Sequence, residues 1–140
     1  MPAMRRLLLL ACAAALVGAA TTSAASPVSA TMVMSSTRPV VEVPWRYTIT
    51  VRSPTGHPLA ARARLEVLRG ARLVGCWRRI AIVPCTRAEI GTWIPFTGRR
   101  TGAIVWPSRW VGRELTFRVV VVTGIHTLLL RTPVTVLAPP

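Results

Sequence analysis

The sequence contains no lysine, aspartate, asparagine or glutamine. Without lysine there is no Walker-type phosphate loop, whose lysine must reach the β- and γ-phosphates. Without asparagine there is no N-glycosylation acceptor, and neither Asn-Gly nor Asp-Gly is available for tight hairpins. Turns therefore fall to Gly, Pro, Ser and Thr. Carboxylates are scarce as well: Glu42, Glu66, Glu89 and Glu114 are the only four acidic side chains in 140 residues. Together with His57 and His126 they make up the stock of carboxylate and imidazole bases. A glycosidase needs two carboxylates that converge on one bond, and nothing in the spacing of these four brings a pair together. Ser53 and Ser108, the serines in the body of the chain, each adjoin a proline, which suits turns, and neither lies in Gly-x-Ser-x-Gly. Outside the N-terminus no stretch has helical periodicity. The enzymatic alternative left is a small secreted hydrolase acting on cell-envelope material, in which two glutamates, or a glutamate and a histidine, meet in a pocket.

The N-terminus reads as an export signal. Arg5 and Arg6 give a basic start, and Leu7 to Ala20 is an apolar run short of the ~20 residues that a membrane span takes. Small residues follow, with cleavage fitting after Ala24, Ala25 or Ala30, so residues 1–30 are assigned to signal and cleavage region and 31–140 to one domain. The rival readings are an uncleaved anchor or a lipoprotein box at Cys12, which the apolar run beyond it disfavours. No apolar anchor or sorting motif precedes Ala138-Pro139-Pro140, so any attachment to an envelope is expected to be non-covalent. Loss of Arg5 and Arg6 leaves 16 arginines against four glutamates, a net charge of +12. It also leaves two cysteines, Cys76 and Cys85, in an oxidising compartment, where they are expected to form a disulfide. Closing a loop of about ten residues stabilises by roughly 2.5 kcal/mol on the chain-entropy argument. A zinc site built from these cysteines with His57 and His126 matches no compact ligand spacing, and no metal or other cofactor is expected.

The clearest periodicity runs from Pro44 to Leu68. Trp45, Tyr47, Ile49 and Val51 alternate with Arg46, Thr48, Thr50 and Arg52; after the turn Ser53-Pro54-Thr55-Gly56, Ala61, Ala63, Leu65 and Val67 alternate with Arg62, Arg64 and Glu66. Two half-buried strands with charged outer faces imply an antiparallel sheet wet on one side, which must cover its apolar face with a second sheet. Shorter extended pieces follow, and Leu115 to Val122 and Thr127 to Leu137 form a last hairpin with Leu115, Phe117, Val119 and Val121 facing inward. About seven short strands at such spacing predict an all-β, antiparallel sandwich of immunoglobulin or fibronectin type. Glu66 is expected to pair with Arg62, Arg64 or an arginine across a strand.

Three pieces carry a family likeness: Pro44-Trp45-Arg46-Tyr47-Thr48-Ile49 followed by Gly56 and Pro58; Phe96-Thr97-Gly98 leading to Trp106-Pro107; and Gly112 with Leu115-Thr116-Phe117-Arg118-Val119. In their order and spacing the chain resembles small secreted immunoglobulin-like domains of actinobacteria. The resemblance implies a sandwich and an extracytoplasmic life, and it brings no catalytic residues with it. The Cys76–Cys85 stretch departs from that pattern.

The charge is what points to a partner. Alternating arginines keep a sheet face soluble, but +12 exceeds that need, and arginine pairs bidentately with phosphate and carboxylate. For an exported chain the anionic partners are an envelope polymer, phospholipid head groups or an acidic protein; nucleic acid would bind only non-specifically. Arg62, Arg64, Arg78, Arg79, Arg99 and Arg100 are the candidate anion-binding residues, expected on one contiguous face. Trp45 and Trp106 read as core. Trp77, Trp93 and Trp110 read as caps on the sandwich ends, with an exposed aromatic-basic surface as the alternative. The leading expectation is a secreted, non-catalytic docking module.

Overall fold

The alternating stretches are strands in the computed structural model, which describes residues 27–140. In chain order they are β1 (Ser29–Met34), β2 (Trp45–Arg52), β3 (Ala60–Arg69), β4 (Arg72–Arg78), β5 (Ala81–Pro84), β6 (Ile94–Thr97), β7 (Arg99–Ile104), β8 (Glu114–Thr123) and β9 (His126–Thr135). A three-stranded antiparallel sheet has the order β1-β2-β7; the second has the order β5-β4-β3-β8-β9, with β6 also pairing with β3. The expected all-β sandwich is present, with nine strands rather than about seven. The difference lies in the middle of the chain, where β5 forms a hairpin with β4 and a 3-10 turn at Ala88–Ile90 precedes the short strand β6. Of the segment assigned to export, residues 1–26 lie outside the described residues. Ser29 and Ala30 are already in β1, paired with Arg52 and Val51, so cleavage after Ala30 would remove two register pairs that cleavage after Ala24 or Ala25 keeps.

Period-two alternation sets the core. The β2 set Trp45, Tyr47, Ile49 and Val51 is buried against Ala63, Leu65 and Val67 of β3 and Leu115, Phe117, Val119 and Val121 of β8. Burying each of the larger side chains contributes about 1.5–3 kcal/mol. At one end the aromatics interlock edge to face: Trp45 lies 5.0 Å from Phe117 and 5.5 Å from Trp106, and Trp106 lies 6.0 Å from Trp110. Trp110 is buried, as a cap would be. The chain passes from one sheet to the other between β6 and β7 at Gly98, whose φ of +71° and approach to Pro58 (an added Cβ would sit 2.4 Å from that ring) leave no room for a side chain.

Consecutive strand residues face opposite ways, and this separates Arg99 from Arg100. Arg99 is opposite Thr50 on the outer face, whereas Arg100 is opposite buried Ile49 and turns inward beside Tyr47. Burial pushes the Tyr47 phenol above its ordinary value of 10.0, and the Arg100 guanidinium opposes that rise. The folded state therefore resists losing a proton that the unfolded chain gives up at about pH 10, so stability is complete below that pH and declines as pH rises beyond it. Tyr47 is the sole tyrosine. In an alkaline titration its phenolate absorbance is expected above the ordinary tyrosine range and together with loss of the folded circular dichroism signal. Tyr47→Phe should move that loss to higher pH. Phenolate appearing at the ordinary pH with the fold intact would contradict the buried geometry.

Candidate functional site

The outer face of β3 presents Arg62, Arg64 and Glu66, and β8 adds Arg118 directly opposite Glu66. The Glu66 side chain is 0% exposed, and both its oxygens are engaged. Arg64 donates from Nε to Oε1 at 2.9 Å, and Arg118 donates from Nε to Oε2 at 2.7 Å. This joins the expected neighbour pair to a cross-strand one. Arg118 also stands opposite Arg131 of β9, a like-charge pair that its attachment to Glu66 relieves.

A carboxylate on the solvent side of a sheet is buried only if something roofs it. The roof is the segment from β4 to β6. Cys76 is opposite Glu66 in the β3–β4 register and is bonded to Cys85, with Cα atoms 5.7 Å apart. The chain then folds back through the 3-10 turn, and the Gly91 backbone packs on the Arg64 stem so closely that an added Cβ would lie 3.0 Å from its Cγ and Cδ. Trp93 follows. The guanidinium carbons of Arg62 and Arg64 each lie 4.6 Å from its ring centroid, giving an indole stacked with two cations. Each such contact contributes about 0.5–1 kcal/mol at an exposed site. Backbone bonds secure the segment: Thr92 N–H donates to the Trp77 carbonyl at 2.9 Å, and Arg79 N–H donates to Thr92 Oγ1 at 3.0 Å. The second of these sets the exposed end of β4 at Arg78 and the turn residue Arg79 beside the Thr92–Trp93 segment.

Four of the six candidate arginines, Arg62, Arg64, Arg78 and Arg79, are thus brought to one side of the molecule. The other two are not. Arg99 is on the outer face of the opposite sheet, and Arg100 is turned inward with its Nε buried and without a hydrogen-bond partner. Sequence reasoning missed Trp93 as the element binding Arg62 to Arg64, and it missed Arg118. The same-face spacing of Arg62, Arg64 and Glu66 was the available sign of the first part, while the roof depends on tertiary contacts.

Glu66 is committed to two guanidiniums, and Glu42, Glu89 and Glu114 are exposed. Glu114 and His126 occupy opposite ends of the β8–β9 hairpin. Among the described residues no three His, Cys, Asp or Glu side chains gather as metal ligands, and no helix is long and apolar enough to cross a membrane. No family model matches the chain, and no curated protein matches it in sequence.

Proposed function

We propose that the chain is a secreted, non-catalytic immunoglobulin-like module that docks onto an anionic polymer of the cell envelope through the Arg62–Trp93–Arg64 surface. The observation that carries this reading is the stack itself. Two guanidiniums are held over one half-buried indole, so much of the side-chain entropy that free arginines lose on binding is already spent. Arg62 makes no ion pair within the described residues and keeps its donors for a ligand. Arg78 and Arg79 extend the charge beside it. The Cys76–Cys85 disulfide suits an oxidising, extracytoplasmic setting.

The test is retention of the purified protein on cell-wall material and on anionic vesicles across a salt series. Saturable retention that weakens with salt is expected, falling about tenfold in affinity for the Arg62→Ala, Trp93→Ala double variant, which removes one charged donor and the ring that holds Arg64 in place. Arg99→Ala, on the other sheet, should bind as the parent does. Equal loss from both variants would point to net charge rather than this surface, and absence of retention at low salt would end the proposal.

A further inference from the structure

A second arginine grouping lies at the other end of β3. There the turn from Arg69 to Arg72, the 3-10 turn Ser108–Trp110 and the start of β8 enclose an open pocket of about 270 Å³, lined by Arg69, Val74, Arg109, Trp110, Arg113 and Leu115. Arg69 is seven residues along β3 from Arg62, roughly 20 Å away, so this is a separate site, and it stands or falls independently of the docking surface.

The pocket is built into the fold. The β3–β4 register shifts between Val67 and Leu68, which pair with Gly75 and Leu73, and the residue left over, Val74, becomes a wall. The Trp110 indole lies against the β4 backbone at Gly75, where an added Cβ would be 2.3 Å from its Cη2. Arg109 stacks over that indole at 4.7 Å. The Arg113 amide donates to the Trp110 carbonyl at 3.0 Å, which sets Arg113 across from it. No carboxylate lines the pocket. None of the three guanidiniums makes an ion pair or a side-chain hydrogen bond among the described residues, the neighbouring Glu114 included.

We propose that this pocket binds a phosphoryl group. Three forked cations, Arg69 at the end of β3 and Arg109 and Arg113 on the loop before β8, surround one volume with no counter-charge. A carboxylate offers two oxygens and a single negative charge, whereas a phosphate monoester offers three acceptor oxygens and close to two charges, enough to engage all three arginines. The apolar wall of Val74 and Leu115 accommodates the carbon skeleton that carries the phosphate. The phosphate can come from a free monoester or from a monoester lipid head group such as that of phosphatidic acid, and both present the same chemistry to the pocket.

Titration calorimetry of the purified protein with glycerol phosphate, inorganic phosphate and acetate, alongside sedimentation with phosphatidic acid vesicles, tests the assignment. One-to-one binding of the phosphate probes is expected, with acetate at least about tenfold weaker. Arg113→Gln and Arg69→Gln, both at exposed positions that leave the core intact, should each weaken phosphate binding about tenfold or more, while Arg99→Ala, on the outer face of the other sheet, leaves it unchanged. Binding of glycerol phosphate as well as vesicles assigns a soluble source; binding of vesicles without glycerol phosphate, weakened by Arg113→Gln, assigns a lipid one. Equal affinity for acetate and phosphate, phosphate binding indifferent to both glutamine variants, or no binding of any phosphate probe at low salt would overturn the proposal.

Discussion

Glu66→Ala is expected to lower the unfolding free energy by about 3 kcal/mol, the low end of the range for removing one partner of a buried ion pair. The low end applies because the Arg64 and Arg118 side chains retain 18% and 22% exposure and can turn partly toward water once the carboxylate is gone. Two further losses add to the broken bonds. Arg118 would face Arg131 with nothing to draw it aside, and Arg64 would lose the contact that holds its guanidinium over Trp93. Urea denaturation measures the effect as a lower midpoint at unchanged slope. The triple replacement of Arg64, Glu66 and Arg118 by leucine is the informative control, because removing all three charges together avoids stranding any of them. It should recover most of the stability while abolishing the docking surface. A Glu66→Ala variant as stable as the parent would mean that the carboxylate is solvated and the roof over it open.

The contrast between Glu66 and Arg100 shows what was legible. Period-two alternation places every side chain of β2 and β3 on its face, since a strand has only two faces and a one-residue slip would expose the whole apolar set. That logic yields the sandwich, the inward Trp45, Tyr47, Phe117 set and the shared face of Arg62, Arg64 and Glu66. Once β7 is seen to be a strand, the same logic forbids Arg99 and Arg100 from one outer face, because adjacent strand residues point apart; Arg78 and Arg79 escape it because Arg78 ends β4 and Arg79 begins the turn, with φ of +62°. What alternation cannot supply is register between distant strands and the path of irregular chain. The burial of Glu66 depends on Cys76 lying opposite it and on Gly91 and Trp93 folding back across β3. The proposed phosphoryl pocket brings Arg69 to Arg109 and Arg113 of one loop, and the distance in sequence between β3 and that loop says nothing of their meeting. Trp110 was legible as an end cap, but that its indole and Gly75 form the base of an arginine-lined pocket was not.

Replacing Cys76 and Cys85 together by alanine should cost roughly 2.5 kcal/mol from the freed loop alone, and its consequences should be confined to the roof. Hydrogen exchange distinguishes this from general loosening. The amides of Arg79, Cys85 (now alanine) and Thr92, bonded to Thr92 Oγ1, Val74 O and Trp77 O respectively, should lose protection, while those of β2 and β8 keep theirs relative to global stability. Uniform loss across both sheets would show that the disulfide supports the whole sandwich and that the roof is not a separable unit. Because the roof buries Glu66, the double-cysteine variant should also reduce the cost of Glu66→Ala: with the carboxylate and both arginines opened to water, their pairing falls toward the ~0–1 kcal/mol of an exposed salt bridge. The two changes should therefore be less than additive by about 2 kcal/mol. Strict additivity would place Glu66 under some other cover. The same variant should release Trp93 from its contact with Arg62 and Arg64, weakening retention on anionic material without altering any charged residue, a loss that net charge alone does not explain.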